Sequence, residues 1–312
     1  MRVFTDSVGF AEKLFGKDLA WKTERKPNEG RPGDIRILVK SLIPGELIYS
    51  VEIGSRGFWK YILLVEKAPE SQYDVLIRLA QSDLELPDGI LCLADEGSGF
   101  HGFKNRPWKS RSGNIHLTAC LSPEGPVPNF GAVFMALPAV SALQVIDRMP
   151  GLENRAGIKW VNDILVEESK ICGVLAHSQS MGDNVSTVIL GIGFNVEAKP
   201  EVEQNRFVPQ VASLLDFVGD SSICNQAQIF NRLMEQLEKN YSLIKSGEQL
   251  RLIDLYRERS NVIGKQVVIC FDDECEDAVS GKAVDIGENL ELYLEGIESP
   301  ISRGRLAFIS ST

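Results

Sequence analysis

Three short apolar segments lie between Lys159 and Val196, and each carries charged, amide or glycine residues at its ends. They read KWVNDILV from Lys159, KICGVL from Lys170 and GIGFNV from Gly191. Apolar runs of this length, bounded by turn-forming residues, are typical of buried strands. Because strands that follow one another in sequence usually pair, the pattern predicts one sheet that gathers a lysine, two asparagines, an aspartate and several glycines.

Charge and composition exclude several classes of protein. The 312 residues carry a formal net charge of −10, whereas a nucleic-acid-binding surface is normally basic, so no nucleic-acid partner is predicted. With 44% hydrophobic residues, the chain can bury a large core divided between two or three units. The sequence contains neither a phosphate-binding P-loop nor a Rossmann glycine fingerprint.

The spacing of cysteines and histidines predicts no metal site. The six cysteines form no C-x-x-C pair, and His101, His116 and His177 show no metal-ligand spacing. We therefore expect reduced thiols in a cytoplasmic protein. No apolar run approaches the roughly 20 residues that span a membrane, and the first residues lack the apolar core of a secretory signal. The expectation is a soluble protein without a membrane partner.

Residues 1–56 form an N-terminal segment whose role the sequence leaves open. The runs at 35–39 and 47–51 predict two strands separated by a turn at 43–45. No pair of amphipathic helices is predicted, so we expect no helix-turn-helix. Eleven basic against eight acidic residues over 1–60 is too small an excess to argue for a nucleic-acid-binding arm. The segment is a lid, a partner-binding arm or a set of extra strands.

Residues 57–258 alternate between the patterns of strands and helices. Short apolar runs predict strands, and apolar residues at every third or fourth position predict helices. The predicted strands lie at 61–65, 89–94, 114–121, 157–160, 164–166, 171–176 and 188–193. The predicted helices lie at 73–81, 130–148 and 226–255.

Residues 259–312 change character again. Short strands are predicted at 266–271, 278–285, 290–294 and 300–309, with acidic turns between them. Several short strands in about fifty residues are typical of a small SH3-like β-barrel. The predicted fold class is therefore α/β (α+β), with a mixed sheet flanked by helices and a small β-barrel after it.

The polar residues of the three segments suit a site that activates a carboxylate with a nucleotide. Such a site must neutralise negative charge and exclude water. A lysine neutralises charge, glycines let the backbone approach a ligand closely, and asparagine amides read the edges of a base. The sequence brings these residue types together in one predicted sheet.

The three segments resemble the motifs of biotin protein ligases, which read Lys-Trp-Pro-Asn-Asp, Lys-x-x-Gly and Gly-x-Gly-x-Asn. The resemblance implies that Lys170 contacts the biotin carboxylate and the α-phosphate of ATP. It places Gly173 against the biotin ring system and makes Asn195 the reader of adenine. It also implies that Asn162 and Asp163 are the family's Asn-Asp pair, with Asp163 organising the metal or the attacking amine.

A loop that folds over the ligand in this family aligns without gaps with residues 94–108. The family pattern there is Gly-Arg-Gly-Arg-x-Gly-Arg-x-Trp, preceded by a glutamine. Gly102, Arg106 and Trp108 match it. The resemblance therefore assigns Arg106 to catalysis and the other two to ligand binding. We call residues 97–108 the ligand loop.

Other candidate ligand-binding positions depart from the family. Gly97 replaces the glutamine, and His101 and Phe103 replace arginines. Each lost guanidinium contact is worth roughly 1.5–3 kcal/mol, so the loop leaves a change of substrate open. Upstream, the family has Ser-Thr-Asn, whose hydroxyls contact the biotin ureido group. Ser71 is retained there and Gln72 departs from the pattern.

The resemblance implies a catalytic domain at 57–258, an SH3-like domain at 259–312 and a reaction in two steps. Biotin and MgATP give biotinyl-5'-adenylate and pyrophosphate, and a lysine of the biotin-accepting carrier domain of a carboxylase then displaces AMP. ATP, biotin and Mg²⁺ are the implied cofactors, with the magnesium carried mainly by the phosphates. A lipoate or octanoate ligase and a non-catalytic ligand- or carrier-binding homologue stay as alternatives. The sequence leaves a homodimer open.

Overall fold

The computed structural model describes residues 1–27, 35–54, 57–82, 86–123, 125–208, 210–272 and 274–309. They form an eleven-stranded mixed sheet flanked by helices and a second, four-stranded antiparallel sheet. The strands of the main sheet are β1 (Arg2–Thr5), β2 (Lys22–Arg25), β3 (Leu47–Glu52), β4 (Tyr61–Ala68), β5 (Ile90–Gly97), β6 (Ile115–Leu121), β7 (Ala156–Lys159), β8 (Asp163–Val166), β9 (Ser169–Met181), β10 (Asn184–Phe194) and β11 (Gln210–Val211). The strands of the second sheet are β12 (Gln266–Cys270), β13 (Ala278–Ile286), β14 (Leu292–Leu294) and β15 (Arg305–Phe308). The α-helices are α1 (Val8–Phe15), α2 (Ile35–Leu42), α3 (Gln72–Gln81), α4 (Phe130–Ile146), α5 (Leu214–Val218), α6 (Gln226–Lys245) and α7 (Leu250–Glu258).

Strand order in the main sheet is β2-β3-β1-β4-β5-β6-β10-β9-β8-β7, and β11 pairs with the start of β9. Strand β4 pairs in parallel with β1 and β5, whereas the pairings from β5 onward to β7 are antiparallel. The motif-bearing strands β7 to β10 are therefore neighbours, as the sequence predicts. The predicted fold class is confirmed, and the second sheet is consistent with an SH3-like barrel.

Side chains alternate between the two faces of the central strands and divide the core in two. On β4, Ile62 and Leu64 pack with α1, α4, α6 and α7, whereas Leu63 and Val65 pack with α2 and α3. Helix α4 is buried on nearly every side, so its sequence is apolar almost throughout. Within the described ranges, none of the helices is both long and apolar enough to cross a membrane.

Residues 35–42 form helix α2, so the strand predicted at 35–39 is wrong. The buried residues of this segment are Ile35, Leu38, Val39 and Leu42. Their spacing of three and four places them on one face of a helix, which packs against β4 and α3. The five-residue window that predicted a strand is too short to show this period, which becomes visible only with Leu42. The strand predicted at 47–51 is confirmed as β3.

Helices α1 and α2 are both amphipathic, contrary to the expectation that the N-terminal segment holds no such pair. Helix α1 buries Phe10, Ala11 and Leu14 against β4 and α6, in one core. Helix α2 lies in the other core. Because the sheet separates the two helices and β2 lies between them in sequence, they do not form a helix-turn-helix.

The N-terminal strands extend the main sheet. Strand β1 lies between β3 and β4, with Val3 opposite Val51 on one side and Ile62 on the other. Of the three roles that the sequence leaves open, this arrangement corresponds to extra strands. It makes β4 an interior strand rather than an edge.

A disulfide joins Cys270 and Cys275, so the expectation of reduced thiols is wrong for this pair. Their Cα atoms lie 4.8 Å apart across the connection between β12 and β13, within the range that a disulfide spans. The short loop between two paired strands brings the thiols together, although the sequence shows no C-x-x-C pair. The other four cysteines are free and buried.

Replacing Leu38 with alanine is expected to lower the free energy of unfolding by about 2–5 kcal/mol, because a cavity would replace a buried side chain. Leu38 is 1% exposed. The control Ser41→Ala alters an exposed position of the same helix and should change the stability by less than about 0.5 kcal/mol. Urea unfolding followed by circular dichroism measures both variants. Equal effects would contradict the burial of this helix face.

Candidate active site

Four residues on adjacent strands lie directly opposite one another. His116 on β6 pairs with Gly193 on β10, and Gly193 pairs with Gly173 on β9. Gly173 pairs in turn with Asp163 on β8. Because opposite residues of a sheet face the same side, the two glycines leave a floor without side chains between His116 and Asp163. We call this strip, from His116 to Asp163, the trench.

The indole ring of Trp108 covers the glycine floor of the trench. A Cβ atom at Gly193 would lie 2.5 Å from Cε2 of Trp108, and one at Gly173 would lie 3.4 Å from Cζ3 of the same ring. Any side chain at Gly193 would therefore displace the indole, which is the physical reason for a glycine there. Nε1 of Trp108 is buried and has no hydrogen-bond partner among the described residues.

Lys170 and Asp163 form an ion pair at one end of the trench. Nζ of Lys170 lies 2.7 Å from Oδ1 of Asp163, and both side chains are largely buried. The ammonium group also lies 5.4 Å from the centre of the Trp108 ring. These two contacts hold the lysine beside the trench, where it can meet an anionic ligand.

Lys159 is a further cation of the site, to which the sequence analysis assigned no role. Its side chain is buried and donates a hydrogen bond to the backbone oxygen of Phe207. Burial lowers the pKa of Lys159 to about 8, and three neighbouring cations act in the same direction against the opposing charge of Asp163. The sequence contains one indication that Lys159 belongs to the site, which is its position as the first residue of the KWVND segment.

The trench opens into a cavity of about 470 Å³ whose walls are strongly cationic. Among the described residues, Asp163 is the one carboxylate that lines it. The lysines and arginines that line it are Arg106, Lys109, Lys159, Lys170, Arg303 and Arg305. The last two belong to the C-terminal unit, and the sequence analysis did not find them. In a chain of net charge −10, this local excess of positive charge indicates an anionic ligand.

Two asparagines of the motifs hold different positions in the wall of the cavity. Asn162 donates from Nδ2 to the backbone oxygen of Val174 at 2.8 Å, which fixes the turn between β7 and β8. Asn195 is 1% exposed and donates from Nδ2 to the backbone oxygen of Ala212 at 3.2 Å. Its Oδ1 is buried without a partner in the described structure. Asn195 therefore offers a fixed, unused acceptor to a ligand.

His101 in the ligand loop is held between two acceptors. Its Nε2 lies 2.9 Å from both carboxylate oxygens of Asp74, and its Nδ1 lies 3.0 Å from the backbone oxygen of Gly102. Burial favours the neutral ring, but the hydrogen bonds to Gly102 and Asp74 outweigh it and raise the pKa of His101. Because both nitrogens face acceptors, the protonated ring suits this position. When protonated, His101 carries a positive charge at a position where the family pattern has an arginine.

Phe103 and Arg106 lie at the tip of the same loop. Phe103 is 46% exposed, and Nε of Arg106 donates to its backbone oxygen at 2.9 Å. The backbone of the loop closes as a narrow hairpin, since Gly102 N donates to Arg106 O and Trp108 N donates to Phe100 O. This hairpin carries Trp108 over the trench.

Most of the residues predicted for the site line this cavity together. They are Ser71, His101, Gly102, Phe103, Arg106, Trp108, Asn162, Asp163, Lys170, Gly173 and Asn195. Gly97 lies outside the lining, in β5, where a Cβ atom would come within 2.5 Å of the backbone oxygen of Ala68. Tight packing accounts for that glycine without a ligand. Gln72 also lies outside the lining; it is 1% exposed on the first turn of α3, and neither amide atom has a hydrogen-bond partner among the described residues.

Comparison with known proteins finds ligases that are similar to this chain. The model of the biotin/lipoate A/B protein ligase family matches residues 71–195, which include α3, the ligand loop and the motif strands. The chain is 30% identical over 219 residues to the bifunctional ligase/repressor BirA of Bacillus subtilis, covering 70% of this chain and 60% of that protein. It thus spans about three-fifths of the length of this relative. It is 27% identical over 220 residues to the biotin–[acetyl-CoA-carboxylase] ligase of Mycobacterium tuberculosis, covering 69% of this chain and 76% of that protein.

A solved structure shares the fold. The biotin protein ligase of Aquifex aeolicus in complex with biotin and ATP superposes with a TM-score of 0.61 and 18% identity. The superposition covers 81% of this chain and 100% of that chain. The fold of this chain is therefore that of biotin protein ligases, with additional structure beyond it.

Replacing Asp74 with asparagine is expected to lower the pKa of His101, because the carboxylate that stabilises the protonated ring is removed. An NMR titration of the histidine ring protons measures this directly, since the chain has three histidines. His177, on β9, serves as the internal control, and its ring-proton signals should keep their wild-type chemical shifts. An unaltered His101 titration would contradict the ion pair.

Proposed function

We propose that this chain is an ATP-dependent biotin–[acetyl-CoA-carboxylase] ligase, because residues 71–195 match the model of the biotin/lipoate A/B protein ligase family. It activates biotin as biotinyl-5'-adenylate and transfers the biotinyl group to a lysine of a carrier domain. The observation that carries the proposal is the cavity in which six cationic side chains face one carboxylate. A carboxylate substrate and a nucleoside triphosphate bring several negative charges together, and such a cavity neutralises them.

In the first step, a carboxylate oxygen of biotin attacks the α-phosphorus of ATP, and pyrophosphate leaves. Lys170 stands at the end of the trench, where its ammonium group lowers the repulsion between the carboxylate and the α-phosphoryl group. Asp163 orients that ammonium group through their contact of 2.7 Å. Lys159, with Arg106 and Arg305 close enough to act on its charge, neutralises the other phosphates.

Recognition of the nucleotide base falls to Asn195. Its Nδ2 already donates to Ala212, so the orientation of the amide is fixed and Oδ1 faces the ligand as an acceptor. The exocyclic amine of adenine is a donor and satisfies this oxygen. A buried acceptor left unpaired is unfavourable by roughly 1–3 kcal/mol. A nucleotide whose base has no amine at this position should therefore bind more weakly than ATP by about that free energy.

In the second step, the amine of the carrier lysine attacks the acyl carbon of the adenylate, AMP leaves and the amine loses a proton. Asp163 is the one carboxylate among the described lining residues, so it is the group that organises the incoming amine. The proposed partner is therefore the biotin-accepting carrier domain of a carboxylase. We assign the protein to the cytoplasm. We assign it no nucleic-acid partner because its net charge is −10 and because α1 and α2 lie on opposite faces of the main sheet.

Magnesium fits this site as a companion of the phosphates. The described residues include no group of three or more histidine, cysteine, aspartate or glutamate side chains that could hold a metal ion by themselves. Asp163 can supply one oxygen ligand, and the remaining ligands of a hard cation would come from phosphate oxygens and water. When bound with ATP, the ion would add positive charge against the phosphates.

A ligase for lipoate or octanoate is the second candidate. The apolar part of the cavity wall favours it, because Leu117, Met135, Val174 and Leu175 line the cavity and would accept a linear acyl chain. Both candidates turn over ATP, whereas a non-catalytic homologue does not. ATP–pyrophosphate exchange with biotin, lipoate or octanoate as the acid separates the three.

The variant Lys170→Ala is expected to reduce biotin-dependent ATP–pyrophosphate exchange by at least about 100-fold, because it removes the charge next to the reacting groups. The control Lys239→Ala removes an exposed lysine of α6 that does not line the cavity. This variant should exchange at the wild-type rate. Exchange that survives in Lys170→Ala would remove this lysine from the mechanism. No exchange in the wild-type protein with any of the acids would refute adenylation.

The pH dependence of exchange should report Lys159. With a pKa near 8 in the free protein, Lys159 is protonated below that pH and loses its charge above it. We expect kcat/KM for ATP to fall as pH rises through about 8, and the variant Lys159→Arg to keep its rate to higher pH because arginine stays charged. Lys239→Arg is the matched control. Identical profiles for all three proteins would show that Lys159 does not act on ATP.

A further inference from the structure

His116 holds the end of the trench opposite Lys170 and Asp163. It lies on β6 directly across from Gly193, and on its other side it is opposite Ala94 of β5. The residue is 3% exposed and lines the cavity. It was not among the residues predicted for the site, because a lone histidine in an apolar strand gives no motif.

The hydrogen bonds of His116 determine which of its nitrogens a ligand can use. Nδ1 lies 3.2 Å from the backbone oxygen of Ala94, which can only accept, so Nδ1 carries the proton. Burial lowers the pKa of His116, and the ring is therefore neutral. A neutral ring that is protonated at Nδ1 has a lone pair at Nε2.

Nε2 of His116 is buried and has no hydrogen-bond partner among the described residues. A buried acceptor left unpaired is unfavourable by roughly 1–3 kcal/mol. Without a ligand that pairs with Nε2, an apolar side chain at this position would be more stable. The ring of Phe100 lies 5.3 Å away, centre to centre, and shields the imidazole from solvent on that side. Because His116 lines the cavity, its Nε2 can accept a hydrogen bond from a group inside the cavity.

The length of the trench matches a ligand that reaches both ends. His116 and Asp163 are three strand spacings apart, or roughly 14 Å at the usual separation of paired strands. The acid group belongs at the Lys170 end, where the cation lies. The other end of the same ligand then lies at His116, and the part between the two ends contacts the Trp108 indole that covers the glycine floor.

We propose that Nε2 of His116 accepts a hydrogen bond from an N–H group at the end of the acid remote from its carboxylate. The substrate class is then a carboxylic acid whose head carries an N–H donor, such as a cyclic urea, rather than an alkyl or dithiolane acid. This inference rests on the proposed function and narrows it. His116 is a specificity-determining residue, because an acid without the donor leaves its acceptor unpaired.

The first test compares two acids in ATP–pyrophosphate exchange by the full chain. The variant His116→Phe should raise KM for biotin roughly 10–100-fold with kcat little changed, since it removes one buried hydrogen bond and leaves the donor unpaired. It should leave KM for octanoate unchanged or lower. His116→Gln, which returns an acceptor near the position of Nε2, should recover part of the affinity for biotin.

His177→Phe is the matched control. Nε2 of His177 is likewise buried and without a partner among the described residues, but the residue lies outside the cavity lining. It should leave KM for both acids at the wild-type value. The proposal is overturned if His116→Phe and His177→Phe have equal KM values for biotin. It is also overturned if His116→Phe raises KM for biotin and for octanoate by the same factor.

A second measurement needs no variant that might fold poorly. In ¹⁵N-histidine-labelled wild-type protein, saturating biotin should shift the Nε2 resonance of His116 toward that of a hydrogen-bonded acceptor, and octanoate should not. No shift with saturating biotin, or no binding of biotin, overturns the inference. A shift without pyrophosphate exchange supports the role of His116 and refutes the ligase proposal, so the two failures are separate.

Discussion

The pairing of Gly193 with Gly173 across β10 and β9 determines where every other part of the site can lie. Two paired positions without side chains leave a gap that the backbone itself lines. The indole of Trp108 enters this gap, and the neighbouring positions on the outer strands, His116 and Asp163, become the two ends of the trench. A methyl group at Gly193 would close it, because the indole already lies within 2.5 Å of where that Cβ would be.

The positive charge around the trench has an energetic consequence for the free protein. Like charges in a confined cavity repel one another; the pKa of Lys159 is lowered mainly by burial, and the neighbouring cations act in the same direction. An anionic ligand removes the repulsion, so part of its binding free energy comes from relieving a strain that the fold maintains. Any ligand that binds the native state in this way also stabilises it against unfolding. The ion pair of Lys170 with Asp163 offsets one of these charges when no ligand is bound.

The sequence predicted those parts of the site that depend on local patterns, and it missed those that depend on tertiary neighbours. Gly173, Gly193 and Asn195 could be located because strand period and motif spacing place them on adjacent strands. Lys159 and His116 could not be given roles, since nothing in the sequence shows that a lysine is buried or that a histidine nitrogen lacks a partner.

The same division applies to the fold. The predicted strands and helices of residues 57–258 rest on periods that span a whole element, and the order of the motif strands followed from them. Helix α2 was mistaken for a strand because a run of five residues is too short to show a helical period. The contribution of Arg303 and Arg305 depends on how the second sheet meets the first, which no local pattern encodes.

The N-terminal segment is connected to the ligand loop through a chain of packing contacts. Strand β1 pairs with β4 and so covers what would otherwise be an open sheet edge, a feature that favours unwanted pairing. Helix α2 packs on β4 and on α3, and α3 carries Asp74, the partner of His101. The first turn of α3 also follows Ser71, which lines the cavity. Because β4 and α3 are shared between the two regions, the N-terminal strands and helices form part of the support on which the ligand loop is held.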